Sequence, residues 1–268
     1  MEISRSEQPD GQGFYKINGH RLYWEQYGSD DAPVLLLLHN GLGSIRSWRR
    51  QLRVFSNSGW RVIAYDRWGY GRSDSRPRFE DRFLQKDAEE ALSFLDHLGI
   101  HRLSLLGHSD GGSIALMMAS ERPDLVERMI VVAAHIYFEP KMLAGLESIA
   151  EISKGKRYAK VLGREHGDKA QHLVDRWVQH WMATDPQQLN LRKLLPKITC
   201  PTLVIQGELD EHATAQHALD IAAGVENGQV WLIPDVHHMP PHEIPEAFNK
   251  VVLRFLAAQV LSGTPAID

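Results

Sequence analysis

The sequence predicts an α/β fold: a mostly parallel, doubly wound sheet interrupted once by a helical insert. Three observations predict it. Short continuous apolar runs recur along the chain, as expected of strands that crossover helices bury on both faces. Segments with helical spacing alternate with those runs, which is the pattern of strand–helix–strand units. The alternation then stops for about 60 residues, from about Phe138 to Leu195, where helical patterning continues without a good strand.

The elements follow in order. Phe14 to Tyr27 reads as a hairpin, with Tyr15 and Ile17, then Leu22, Trp24 and Gln26, on either side of an Asn18-Gly19 turn. Val34 to Leu38 is a buried strand, followed by a helix from about Ser47 to Ser56. Arg61 to Tyr65 is the next strand, and a polar, Gly-rich loop runs from Asp66 to Pro77. Leu84, Ala88, Ala91, Leu92 and Leu95 give helical spacing over Phe83 to Leu98, and Gly99 can end that helix. Leu103 to Leu106 is a strand, Ser113 to Ser120 a helix, and Arg128 to Ala134 another strand. Beyond the insert come strands at Thr202 to Ile205 and Gln229 to Ile233, and a last helix from about Pro245 to Leu261. The expected organisation is one core of residues 1–136 and 196–268, with a helical cap, 137–195, inserted after the sixth strand. An insert over the C-terminal strand ends would cover the crevice where such sheets bind ligands.

Composition narrows the function. The 268 residues suit one core with an insertion. A formal charge of −4 offers no basic footprint for nucleic acid. The only cysteine, Cys200, allows no internal disulfide, reads as a buried small residue, and makes no demand for an oxidising compartment. The start, Met1 to Glu7, has no apolar segment of the signal-peptide kind, and no apolar run is long enough to cross a bilayer. A cytoplasmic protein acting on a small molecule, without a membrane or nucleic-acid partner, is the expectation. Oligomeric state is not legible.

The sharpest motif is Gly107-His108-Ser109-Asp110-Gly111, directly after an apolar strand and directly before a helix. G-x-S-x-G in that context is a nucleophile elbow. The turn is so tight that side chains at Gly107 and Gly111 would clash. It lifts the Ser109 hydroxyl out of the sheet and onto a helix N-terminus, where free N–H groups favour developing negative charge. A serine hydroxyl needs a base, and the base needs an acid to orient it. Asp210 lies just past the end of the Thr202 strand and is the favoured acid, with Glu208 and Glu211 as rivals. After the next strand, His237, His238 and His242 compete to be the base. No metal-ligand spacing and no cofactor loop accompany them.

These pieces resemble the α/β-hydrolase superfamily across nearly the whole chain, including its esterase, valacyclovir hydrolase-like and carbon–carbon hydrolase members. The matching residues are Leu38-His39-Asn40-Gly41-Leu42-Gly43-Ser44, Asp66 to Asp74, the elbow, Gly207 to Asp210, and His238-Met239-Pro240 followed by Glu243 to Phe248. The resemblance implies an α/β-hydrolase fold. It also selects His238, because family members carry a Gly-His-x-x-x-x-Glu-x-Pro run, and aligning Glu243 and Pro245 puts the histidine there; His237 stands where the Gly usually is. It implies an oxyanion hole from the backbone N–H groups of Gly41 and Asp110, with Leu42 the alternative to Gly41. Asn40 stands where the family commonly has Gly. His39 is expected to brace its loop, and Arg67, Arg72 and Asp74 to form internal ion pairs. The Asp110 carboxylate either meets a polar substrate group or caps the helix it begins.

The implied chemistry is acyl transfer to Ser109 and then hydrolysis, without a cofactor. A carboxylic ester of a small, partly apolar molecule is the first expectation. Asn40, His135, Trp177 and Trp181 are the pocket candidates, with Met182, Tyr137 and Glu139 further possibilities. The alternative is a carbon–carbon hydrolase of ring-cleavage diketones. An alternative of another class is a non-catalytic ligand-binding homologue. Ser109 disfavours the haloalkane dehalogenases of this fold, which use an Asp nucleophile.

Overall fold

A computed structural model describes residues 8–187 and 189–258. The chain start read for a signal segment and the last residues of the expected final helix, 259–261, lie outside the described residues. β1 (Gly11–Ile17) and β2 (His20–Tyr27) form an antiparallel hairpin. Its turn is made by Asn18 and Gly19, with φ of 48° and 87°, a region that these two residues tolerate best. β3 (Val34–Leu38), α1 (Leu52–Asn57), β4 (Arg61–Tyr65), α2 (Phe83–His97), β5 (Leu103–His108), α3 (Asp110–Glu121) and β6 (Val126–Val132) follow. Three helices come next: α4 (Pro140–Ile152), α5 (Lys156–His166) and α6 (Ala170–Ala183). β7 (Thr202–Gly207), α7 (Gln216–Gly224), β8 (Gly228–Ile233), α8 (Pro240–Glu243) and α9 (Pro245–Ala257) complete the chain.

The eight strands form one sheet in the order β1-β2-β4-β3-β5-β6-β7-β8. All neighbours from β4 to β8 are parallel, and β2 joins β4 antiparallel. This is the α/β-hydrolase fold. Two-residue alternation divides its core. Leu36 and Leu38 face α2 and α3, whereas Leu35 and Leu37 face Trp48, Phe55 and Phe248 on the other side. The chain runs from β3 to β4 on one side and returns to β5 on the other. The loops after β3 and β5 therefore flank the topological switch point, where a crevice opens at the carboxyl ends of the strands.

Several boundaries differ from the expectation. The helix expected over Ser47 to Ser56 is two pieces, a 3-10 turn at Ile45–Trp48 and then α1. The Ser44 side chain caps the turn, and the Gln51 N–H bonds the Trp48 carbonyl rather than that of Ser47, which accepts from His242 instead, so the helical ladder is interrupted there. α3 starts at Asp110 rather than Ser113, directly on the elbow. β6 ends at Val132, because Ala133 has a φ of 48° that no strand continues. Helices α7 and α8 were not foreseen.

Candidate active site

β5 delivers Ser109 into a conformation that side-chain-bearing residues rarely adopt, φ 54° and ψ −120°. Strain of this kind costs about 1–3 kcal/mol and persists only when neighbours enforce it. Here the Ser109 N–H donates to the Val132 carbonyl at 2.8 Å, and the Ser109 carbonyl accepts from Gly112 and Ser113 at 2.8 and 3.0 Å. A side chain at Gly107 would run into the Gly111 carbonyl, and one at Gly111 into the Leu38 carbonyl. Both obstacles are backbone and cannot swing away.

Across the crevice, the loop after β8 brings in His238. Its Nε2 lies 3.1 Å from Ser109 Oγ, and its Nδ1 lies 2.8 Å from Asp210 Oδ2. Nδ1–H donates to the carboxylate, which leaves Nε2 free to accept the serine proton. Asp210, fully buried after β7, is further saturated. Oδ1 accepts the N–H groups of His212 and Ala213 at 2.8 and 3.2 Å, and Oδ2 accepts Gln206 Nε2 at 2.5 Å. Burial alone would push the Asp210 carboxyl up, but His238 and the His212 N–H outweigh it and hold the group below the ordinary range. Burial alone would lower His238, but the Asp210 carboxylate overrides it and raises the imidazole above 6.5.

The rivals have other employment. Glu208 is exposed, and Glu211 accepts the His238 backbone N–H at 3.2 Å. His237 is exposed and faces Glu243, while His242 donates to the Ser47 carbonyl at 2.6 Å. Glu243 accepts the N–H groups of His237 and Met239 at 2.9 and 2.8 Å, which gives that glutamate a physical role as the staple of the loop. The positive φ of this turn falls at Asp235, so a side chain at 237 meets no strain. Gly207 is required where β7 ends, because a Cβ there would strike the Val236 and His237 carbonyls.

A cavity of about 400 Å³ opens over Ser109, within the range of small-molecule sites. Asn40, Gly41, Leu42, Asp110, His135, Trp177 and Trp181 all line it. Met182 does not; it faces outward from α6, half exposed. Tyr137 and Glu139 do not either: Tyr137 stacks on His217 with ring centroids 4.0 Å apart, and Glu139 takes the Thr214 N–H and hydroxyl. The sequence reading missed His212, whose ring stands edge-on to His238 at 4.6 Å, and the apolar wall of α4, Met142, Leu146 and Ile149. Position two residues after Asp210 was a usable signal for His212. A helical apolar stripe gives no sign of facing a cavity rather than a core.

The N–H groups of Gly41, Leu42 and Asp110 donate to no acceptor among the described residues. Among the described residues the Asp110 carboxylate accepts no backbone N–H of α3. Its Oδ2 accepts Trp177 Nε1 at 3.1 Å and lies 3.6 Å from the Arg67 guanidinium, an arrangement unlike the helix cap considered for it. His39 braces its loop: Nδ1–H donates to the Asn40 carbonyl at 2.8 Å, and Nε2 accepts the Arg67 N–H at 3.1 Å. Ion pairs join Arg67 to Asp87, Arg72 to Glu25, and Asp74 to Arg21.

Similarity to known proteins identifies the family. The family model described as alpha/beta hydrolase fold matches residues 33–153. The chain is 32% identical over 246 residues to "Serine hydrolase BPHL" of Homo sapiens, spanning 90% of this chain and 84% of that one. It is 26% identical to the 2-hydroxy-6-oxononadienedioate/2-hydroxy-6-oxononatrienedioate hydrolase of Comamonas testosteroni, over 90% of this chain and 93% of the other. The crystal structure of a hydrolase from Pseudomonas aeruginosa PA01 superposes with a TM-score of 0.70 at 28% identity, covering 93% of this chain and 99% of that one. No helix among the described residues is long and apolar enough to cross a membrane. A nucleophile-elbow turn at the switch point of an eight-stranded sheet, and similarity to hydrolases over nine-tenths of the chain, make this protein a member of the α/β-hydrolase superfamily and a hydrolase.

Proposed function

We propose that the protein is a serine hydrolase that cleaves a carboxylic ester, or a related acyl bond, of a small organic molecule through an acyl-enzyme. The observation that carries this reading is the continuous relay from Ser109 Oγ through His238 to Asp210 on the wall of the cavity. Ser109 attacks the carbonyl carbon as His238 Nε2 takes its proton. Asp210 stabilises the imidazolium and keeps the ring in the right tautomer. The carbonyl oxygen becomes an oxyanion facing the N–H groups of Gly41 and Asp110, each donor contributing on the order of 3 kcal/mol. His238 then returns the proton to the departing alcohol, and water repeats the sequence on the acyl-enzyme.

Helices α4–α6 serve as the cap. Trp177, Trp181 and the α4 wall supply an apolar surface for the acyl or alcohol group, while Asn40 and His135 offer polar contacts. The test is hydrolysis of p-nitrophenyl acetate. Wild type should show a burst of nitrophenol followed by turnover, and Ser109→Ala neither. A panel of acyl esters set against a ring-cleavage diketone decides the bond. Turnover of the diketone alone would replace the ester reading with carbon–carbon hydrolysis, and no turnover of any member would leave a binding protein.

A further inference from the structure

Arg67 follows β4, is 1% exposed, and sits on the core side of the cavity floor without lining it. Its NH1 donates to Asp87 Oδ2 at 2.9 Å. That pair does not account for the residue, because Arg76 already donates to the other oxygen of Asp87 at 2.7 Å. The second arm of Arg67 goes elsewhere. NH2 donates to the Asn40 carbonyl at 3.1 Å and lies 3.6 Å from Asp110 Oδ2, with the guanidinium 4.4 Å above the Tyr70 ring. The same Asn40 oxygen also accepts His39 Nδ1–H at 2.8 Å and the Gly43 N–H at 3.1 Å.

The peptide plane gives this clamp a consequence. In a trans peptide the carbonyl of one residue and the N–H of the next point in opposite directions. Among the described residues no peptide is cis. Three donors that hold the Asn40 carbonyl toward the core therefore hold the Gly41 N–H away from it, on the side of the cavity that Gly41 lines. The arm that anchors Asn40 also flanks Asp110, whose N–H is the second donor of the reading above.

We infer that Arg67 is a positioning residue for the oxyanion hole, its single guanidinium arm fixing the Asn40–Gly41 peptide against Asp110 so that both N–H groups converge on one oxygen. This rests on Gly41 and Asp110 being the donors. Arginine is suited to the task because its planar fork spans Asp87 and Asn40 at once, which a lysine ammonium does not. A buried ion pair is weak evidence of a stabilising role. The second arm of Arg67 gives the pair a different one.

The test compares wild type with Arg67→Lys and Arg67→Met, using p-nitrophenyl acetate turnover and inhibition by phenylboronic acid, which forms an anionic tetrahedral adduct on the serine. Losing a whole donor costs about 10²–10³-fold in kcat, and a misaimed one should cost on the order of 10–100-fold. kcat and boronate affinity should fall by the same factor, with KM nearly unchanged and thermal unfolding still cooperative. A folded variant with unchanged kcat and boronate affinity overturns the inference, and so does a loss confined to KM. If neither variant folds, His39→Leu removes another donor to the same carbonyl and should show the same paired loss; its absence overturns the inference. Failure of the underlying reading looks different: wild type itself would give no burst and no boronate inhibition, and the inference would fall with it.

Discussion

Replacing Gly41 with alanine adds one methyl group at a place where α6 meets the proposed oxyanion loop after β3. The new Cβ would lie 2.5 Å from Trp177 Cζ2, 2.9 Å from Cε2 and 3.1 Å from Asp110 Oδ2. Carbon–carbon contacts are comfortable near 3.5–4.0 Å, so the indole must retreat by about 1 Å or the loop must move instead. Overpacking of this sort costs about 1–3 kcal/mol in stability. The effect on chemistry is larger than the effect on folding. The Gly41 N–H is the proposed donor, and a displacement near 1 Å is enough to cost on the order of 100-fold in kcat. The obstacle is a side chain on α6, so it can be removed. Gly41→Ala combined with Trp177→Leu should recover at least tenfold of the lost kcat, despite the loss of the Trp177 hydrogen bond to Asp110. Steady-state hydrolysis of p-nitrophenyl acetate by the two single variants and the double variant reads this out. A fully active Gly41→Ala, or a double variant no better than the single, would refute the reasoning. Gly111→Ala is the contrast, since its obstacle is the Leu38 backbone and no partner substitution should relieve it.

Three further outcomes are expected. With His238 as the proposed base, turnover needs its neutral form, so kcat/KM should fall as pH drops through a pKa raised above 6.5. Asp210→Asn removes the group that holds that pKa up, so the acid limb should move to lower pH while kcat falls on the order of 10⁴-fold; an unmoved limb in the pH–rate profile would count against the pairing. Gly207→Ala should cost more than about 100-fold in kcat, because its Cβ pushes on the backbone that presents His238; near-normal activity would show that the loop gives way freely. Burial holds His135 neutral and pushes its pKa down to about 3, so the folded state binds fewer protons than the unfolded chain below 6.5. Stability from this residue is fully present above pH 6.5 and is lost as pH falls toward 3, on the order of 5 kcal/mol in all. His238, with its raised pKa, acts in the opposite sense. Urea unfolding of His135→Phe should therefore show a shallower loss between pH 6.5 and 4 than wild type, and an identical slope would contradict the assignment.

What was legible in the sequence follows the range of the physics behind each signal. The parallel strands declared themselves because burial on both faces removes polar positions, as in Val34 to Leu38. The elbow was legible because the constraints on Gly107 and Gly111 are backbone clashes that leave no alternative residue. Ser109 and Asp210 could be named because each follows a strand end on the same sheet edge, whereas strand position left His237, His238 and His242 in competition and only the family's spacing to Glu243 and Pro245 picked His238, whose ring lies within hydrogen-bond distance of both Ser109 and Asp210. Long-range side-chain demands were not legible. The Ser47 carbonyl, taken by His242 from the far end of the chain, interrupts a helix expected to run on to Ser56. Trp177 and Met182 sit on one helix with similar apolar character, yet one bonds Asp110 in the cavity and the other faces outward. Nothing local distinguishes them. The same holds for Arg67, which reads as one more loop arginine until Asn40 and Asp110 are seen beside it.

Labelling with a fluorophosphonate probe tests the central claim most directly. Intact mass and peptide mapping of the labelled protein should show one adduct, on Ser109, with labelling abolished in Ser109→Ala and strongly slowed in His238→Ala. An unlabelled wild type, or an adduct on any other residue, would contradict the account.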